Sequence, residues 1–280
     1  MKTVVEELKI RTGLETIMRA WIPEQLKSVI VGIHGFAEHT GRYENVGTFL
    51  ASKGYALYMY DLRGHGRSKS TIGYIEKFEE FLDDTEAFVE YVRRLHSTTP
   101  IFLMGHSMGG LIVTYYAGFK KSRLSGLITS GAALELEANP LLSLLVKLQA
   151  TLRPNGRVKL TVNTNCLSSD KEVVKKYIED PLVFKDPTFK LLLEFNNAAS
   201  KVWEYVNNIS IPTLIMHGAE DCIVPKRVSE KLYAKLKVED KTLKIYEGMK
   251  HEIFNEIEKE KPLKDLVDWI NKHKLTSEQY

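Results

Sequence analysis

Gly105-His106-Ser107-Met108-Gly109 follows the short apolar run Ile101-Phe102-Leu103-Met104 and precedes Leu111-Ile112-Val113-Thr114-Tyr115-Tyr116-Ala117, a run of helical character. Gly-x-Ser-x-Gly between a strand and a helix marks a tight turn that lifts a serine hydroxyl above the edge of a sheet, where it can act as a nucleophile. The flanking glycines leave room for a strained backbone and for close strand–helix contact. Ordinary glycine and serine usage supplies such a pentapeptide by chance in about one unrelated chain of this length in ten. Its surroundings therefore decide what it means.

Working outward, β-like runs alternate with longer helical ones. Ser28 to Ile33, Tyr55 to Tyr60, Ile101 to Met104, Leu124 to Thr129, Thr213 to His217 and Thr242 to Tyr246 read as strands. Tyr43 to Ser52, Phe78 to Leu95, Met108 to Phe119, Lys226 to Leu236 and Pro262 to Lys274 read as helices. This alternation predicts an α/β fold with a mostly parallel central sheet flanked by helices. Thr3 to Ile10 and Glu15 to Ile22, joined by a turn at Thr12-Gly13, add an antiparallel pair at one edge.

The alternation stops between Leu134 and Asn208, where Leu141 to Leu152 and Lys171 to Ile178 are helical patches interrupted by Pro140, Pro154, Pro181 and Pro187. The expected organisation is a core of residues 1–133 and 209–280 with a helical cap, 134–208, inserted over the C-terminal edge of the sheet, where open α/β sheets bind ligands. Leu141 to Leu152 is apolar over more of its circumference than one buried face requires. Such a helix packs on several sides, or else faces an acyl chain, a membrane or a micelle.

At 280 residues the chain is long enough for one elaborated domain or two small ones. Hydrophobic residues at 44% and charged residues at 27% exclude a disordered or lipid-embedded chain. A net charge of +3, without a dense Lys/Arg block interleaved with aromatics, gives no footprint for nucleic acid. Cys166 and Cys222 are far apart and lack metal-ligand spacing, so isolated thiols are expected rather than a disulfide or a metal site. Met1 to Glu7 has no apolar signal core and no run approaches the length of a membrane span, which makes a reducing, cytoplasmic location the default.

A serine hydroxyl is a poor nucleophile until a base takes its proton, and an imidazole base needs an acid to fix its tautomer. Among eight histidines, His251 follows the last β-like run through Glu247-Gly248-Met249-Lys250 and precedes the final helix. The chain order serine, acid, histidine puts the base there. His273 reads as a solvated helix residue and His96 as a helix-terminus residue. Asp221 and Glu220 both stand in the loop where the acid is expected. Backbone N–H donors for a tetrahedral oxyanion are expected from Met108, after the serine, and from Phe36 in the loop that follows the first core strand. The Phe36 ring would wall the pocket.

Together, His34-Gly35-Phe36-x-Glu38-His39-x-Gly41-Arg42-Tyr43, Tyr60-Asp61-Leu62-Arg63-Gly64-His65-Gly66-x-Ser68, Gly105-His106-Ser107-Met108-Gly109 and Asp221 with His251 resemble the monoacylglycerol lipase branch of the α/β-hydrolases, which also contains lysophospholipases. Gly218-x-x-Asp221-x-x-Val224-Pro225 resembles the family's acid signature and selects Asp221 over Glu220. Loops like Asp61 to Ser68 also occur in epoxide hydrolases and dehalogenases, which carry an aspartate nucleophile. Ser107 argues against both, and a structural role is expected for Asp61 and Arg63.

The resemblance implies that Glu38 and Arg42 lie near a polar pocket for the glycerol leaving group, and that Tyr177, in Tyr177-x-x-Asp180-Pro181-Leu182, reaches its hydroxyls. The alternative is that Glu38 and Arg42 pair with each other to shape the loop. At position 36 this chain has Phe where small residues also occur in the family.

The expected activity is a serine-dependent hydrolysis of carboxylic esters of monoacylglycerol type through an acyl-enzyme. No metal, organic cofactor or obligate protein partner is expected, only a small lipid ester and transient membrane or micelle contact through the cap. A lysophospholipase, a short-chain esterase or a thioesterase would use the same three residues, and a ligand-binding protein could keep the fold without the chemistry. The cap sequence offers no acidic cluster for the amine of a peptidase substrate.

Overall fold

The computed structural model describes residues 1–120, 123–136, 140–160 and 162–274, without the side chains of 140–142. The strands are β1 (Lys2–Lys9), β2 (Glu15–Ile22), β3 (Ser28–Ile33), β4 (Tyr55–Tyr60), β5 (Ile101–His106), β6 (Gly126–Ser130), β7 (Thr213–Gly218) and β8 (Lys241–Tyr246). They form one sheet in the order β1-β2-β4-β3-β5-β6-β7-β8. β1 and β2 pair antiparallel at one edge, β2 meets β4 antiparallel, and every later pairing is parallel. The α/β architecture anticipated from the alternation is the one observed.

β3 to β7 are buried along their whole length, as strands covered on both faces must be. Alternate side chains divide between two cores. Val29, Val31 and Ile33 pack on one face with α2 (Glu79–Leu95), α3 (Met108–Phe119) and α7 (Arg227–Lys235). Ile30, Phe102 and Leu214 pack on the other with α1 (Glu44–Ser52) and α8 (Glu260–His273). The registers Ile33↔Gly105, His106↔Ser130, Ser130↔Met216 and Gly218↔Tyr246 bring the C-terminal ends of five strands level. The loops that follow those ends converge.

α8 starts two residues before Pro262, which sits in its first turn, where the missing N–H costs nothing. Between β6 and β7 the chain adds no strand to the sheet among the described residues. It forms α4 (Pro140–Leu152), α5 (Lys171–Glu179), α6 (Phe189–Lys201) and short 3-10 turns. α6 was not anticipated, although Leu191, Phe195, Ala198 and Val202 carry a helical period and Thr188 caps it by accepting the Leu191 N–H at 3.1 Å.

In α4, Leu144, Leu145, Leu148 and Leu152 are 49–67% exposed, so this run faces outward rather than into a core. The side chains of Leu141 and Leu142, part of the same run, lie outside the described residues. Among the described residues no helix is long and apolar enough to cross a membrane.

The expectation of two isolated thiols is wrong. Cys166 and Cys222 form a disulfide, with Cα atoms 5.4 Å apart across a sequence separation of 56. Spacing failed as a guide because the segment between β6 and β7 doubles back. The turn Thr164–Cys166 comes to rest against the loop after β7. Disulfides persist in oxidising compartments or in the cytosol of hyperthermophiles.

Candidate active site

Ser107 occupies the turn between β5 and α3 at φ 55°, ψ −118°, a conformation that costs a non-glycine residue energy and persists only where the surroundings enforce it. Here they do. The Ser107 N–H donates to the Ser130 carbonyl at 2.9 Å, and its carbonyl accepts from Leu111 N at 3.1 Å and Ala133 N at 3.0 Å. A Cβ on Gly105 would collide with the Gly109 carbonyl, and one on Gly109 with the Ile33 carbonyl. The two glycines of the motif thus allow α3 to press against β5 and β3 while the serine stands proud.

Asp221 follows β7 and is buried, whereas its rival Glu220 is exposed. Asp221 Oδ1 accepts the Ile223 and Val224 N–H groups at 2.8 and 2.9 Å. Its Oδ2 lies 2.6 Å from His251 Nδ1 and 3.1 Å from His217 Nε2. Burial works against ionisation of Asp221, but His251 and His217 outweigh it and hold the carboxyl well below the usual carboxylate range. Burial likewise disfavours the His251 imidazolium, and Asp221 overcomes this to raise its pKa above the ordinary value. With Nδ1–H directed at a carboxylate, Nε2 is left as the acceptor.

Ser107 and His251 line the same cavity. No hydrogen bond joins their side chains among the described residues, and such bonds commonly tighten only around a reacting substrate. Gly131, at φ 54°, makes room for the pair: a Cβ there would stand 3.2 Å from His251 Nδ1 and 3.4 Å from Asp221 Oδ2.

The loop after β3 turns back on itself through Ala37, at φ 59°, and Glu38 Oε1 accepts the Gly35 N–H at 2.5 Å. A Cβ on Gly35 would lie 3.2 Å from Ser107 Cβ, so this loop borders the serine. The Phe36 N–H has no protein acceptor among the described residues. Met108 opens α3, where first-turn N–H groups lack intrahelical acceptors. The Phe36 ring packs against Phe184, Phe195 and His65 as a wall. Asp61 accepts from Thr40 and from the Arg67 N–H, and Arg63 is bidentate to Asp84, the structural roles expected of both.

Glu38, Arg42 and Tyr177 do come together, with Glu252 as a fourth member that the sequence reading missed. Arg42 Nη1 donates to Glu38 at 2.8 Å, and Nη1 and Nη2 donate to the two Glu252 oxygens at 2.9 Å each. The Tyr177 ring covers the guanidinium at 4.7 Å. Burial opposes the Glu38 charge, yet Arg42 together with His106, His34 and the Gly35 N–H brings its pKa down to about 2. Burial pushes the Tyr177 hydroxyl up to about 12, so it stays a proton donor. Glu38 and Arg42 thus pair with each other, and both line the cavity. Glu252 was legible only as the residue after His251.

The cavity is about 240 Å³. Beyond Ser107, His106, His251 and this polar group its lining is apolar, including Phe36, Leu160, Val162, Leu192, Phe195 and Ile223. Leu160, Val162 and Leu192 come from the segment between β6 and β7.

The model of the family described as serine aminopeptidase, S33, matches residues 24–258. A monoacylglycerol lipase of Mycolicibacterium smegmatis is 32% identical over 266 residues, 93% of this chain and 94% of that protein. A phospholipase of Bacillus subtilis is 29% identical over 87% of this chain and 95% of its own length. The crystal structure of a soluble variant of monoglyceride lipase from Saccharomyces cerevisiae, in complex with a substrate analogue, superposes with a TM-score of 0.89 at 26% identity, covering 99% of this chain and 97% of that one. With its mostly parallel sheet, strained serine turn and buried Asp–His pair, this chain belongs to the S33 family and is a serine ester hydrolase of the monoacylglycerol lipase branch of the α/β-hydrolases.

Proposed function

We propose that this chain hydrolyses monoacylglycerols, with Ser107 as nucleophile, His251 as base and then acid, and Asp221 as the group that orients His251. His251 Nε2 takes the Ser107 proton as the hydroxyl oxygen attacks the ester carbonyl. The Phe36 and Met108 N–H groups hold the oxyanion. His251 then protonates the departing glycerol oxygen, and water repeats the sequence on the acyl-enzyme to free the fatty acid. The cycle calls on no metal or organic cofactor.

The observation that carries this reading is the division of one cavity into an apolar wall, fit for an acyl chain, and a polar group of Glu38, Arg42, Tyr177 and Glu252. That group holds one cation between two carboxylates, so it suits a neutral polyol better than the anionic headgroup of a lysophospholipid. Both carboxylates are engaged by Arg42, which leaves no free acid for the amine of an aminopeptidase substrate. Residues 134–208 act as the cap, and the exposed leucines of α4 rest on the lipid surface that holds the substrate.

The test compares purified wild type and Ser107→Ala on monoacylglycerol, lysophospholipid and p-nitrophenyl esters. The expected result is highest kcat/KM on monoacylglycerol and no turnover by Ser107→Ala. Residual turnover by a clean Ser107→Ala preparation sinks the mechanism, and a preference for lysophospholipid sinks the substrate.

A further inference from the structure

One short strap of the cap, residues 163–170, is fastened to two active-site loops at once. The Cys166 carbonyl accepts the His251 N–H at 3.1 Å, and the next carbonyl, Leu167, accepts the Glu252 N–H at 2.8 Å. The buried Glu256 carboxylate continues the seam, accepting from Lys250 N at 2.8 Å and Ser169 N at 2.9 Å. Ser168 Oγ adds a bond to the Asn255 carbonyl at 3.0 Å. On its other side Cys166 is joined covalently to Cys222, the residue that follows Asp221.

The bridge thus lies between the backbone that carries His251 and the loop that carries Asp221. Hydrolysis uses no sulfur, so the pair takes no part in the bond-making steps themselves. Cys166 is buried but Cys222 is exposed, which opens the bridge to a thiol reagent from one side, and exposed disulfides are the labile ones.

We propose that the Cys166–Cys222 disulfide is a positioning element of the catalytic apparatus: it holds the strap that carries the His251 loop against the loop that carries Asp221, and a dithiol reductant that opens it slows acyl transfer to Ser107. The inference rests on the roles proposed above for these three residues. One thiolate of the dithiol attacks the Cys222 sulfur and expels Cys166 as a thiolate. The second thiol of the reagent then closes onto the mixed disulfide, releasing Cys222. Two electrons and two protons pass from the dithiol, which leaves as a cyclic disulfide, and both cysteines end as thiols. A bridge that merely staples the fold would act on stability, through the loop it closes, and not on turnover of the folded protein.

The experiment takes the full chain oxidised, reduced with dithiothreitol and reoxidised. Both thiols are counted by alkylation and mass spectrometry, and folding is followed by circular dichroism. On p-nitrophenyl butyrate, kcat should fall about 10-fold or more on reduction, toward the 10²-fold that ångström-scale misplacement can cost. KM should change little, the fluorophosphonate labelling rate of Ser107 should fall in parallel, and reoxidation should restore both. Cys222→Ser should be slow from the start and indifferent to the dithiol.

A reduced, alkylated protein that keeps its circular dichroism and its kcat overturns the proposal, as does a change confined to KM. Loss of the circular dichroism on reduction also overturns it, by making the bridge a staple. If oxidised wild type neither cleaves the ester nor labels, while Ser107→Ala behaves identically, the assigned reaction has failed and not the bridge.

Discussion

Two pieces of the same cap are treated in opposite ways. In the strap, Cys166, Leu167 and Ser168 are at most 3% exposed, with successive backbone bonds to the histidine loop and a disulfide to the loop that carries Asp221. α4, only a few residues upstream, turns four leucines to the outside. Leaving such side chains in water forgoes roughly 25 cal/mol per Å² of apolar surface, so the exposure makes physical sense where an apolar partner covers it. The strap is tied to the loops that carry Asp221 and His251, whereas these leucines of α4 are exposed.

The contrast can be broken at several points. The largest effect is expected at the sewn side. Asp221→Asn should lower kcat on a soluble ester by about 10⁴-fold, because an amide leaves His251 in the wrong tautomer. Glu220→Gln, at the exposed neighbour, should leave it unchanged, and the reverse pattern would transfer the acid's role to Glu220.

Arg42→Ala should come next. It leaves the buried carboxylates of Glu38 and Glu252 without their shared cation, at a cost of about 3–5 kcal/mol in thermal or denaturant unfolding. With the brace on Gly35 loosened, kcat should drop about 10²-fold.

The third expectation concerns pH. The base must be neutral to accept the Ser107 proton, and Asp221 holds the His251 pKa above the ordinary imidazole value of about 6.5. The acid limb of kcat/KM should accordingly lie above 6.5, activity falling as the pH drops through it. A limb at or below 6.5 would show that burial, not Asp221, dominates. Glu38 adds a stability counterpart: its pKa of about 2 is depressed, so its contribution is in place above about pH 4.3 and lost as pH falls toward 2.

The smallest effect tests the open side. Leu145→Asp with Leu148→Asp should slow hydrolysis of vesicle-borne monoacylglycerol several-fold, each charge opposing contact with hydrocarbon, while p-nitrophenyl butyrate turnover stays near wild type. Equal losses on both substrates would make α4 part of the pocket rather than a docking face.

Much of the site was legible because its signals are local. Gly105 and Gly109 stand four residues apart in one motif, although the backbone that crowds Gly109 is that of β3, and His251 was found by chain order alone. Asp221 needed more: its loop offered two acids, and only burial and the bond to His251 Nδ1 separate it from Glu220 in the structure. Glu252 looked like any charged loop residue because its meaning depends on Arg42, which is 210 residues away in sequence. α6 hid behind Asn196 and Asn197 and a preceding proline, although its apolar period was present.

The sequence by itself determined the layered α/β architecture, the strained serine turn and the order of Ser107, Asp221 and His251 along the chain, since each follows from side-chain periodicity or from a short motif. The tertiary structure alone decided that Cys166 and Cys222 are bonded, that Arg42 sits between two carboxylates under Tyr177, and that α4 faces outward while the strap does not. Those facts depend on which distant segments share a space, and spacing along a chain carries no record of how an inserted cap folds back over its own sheet.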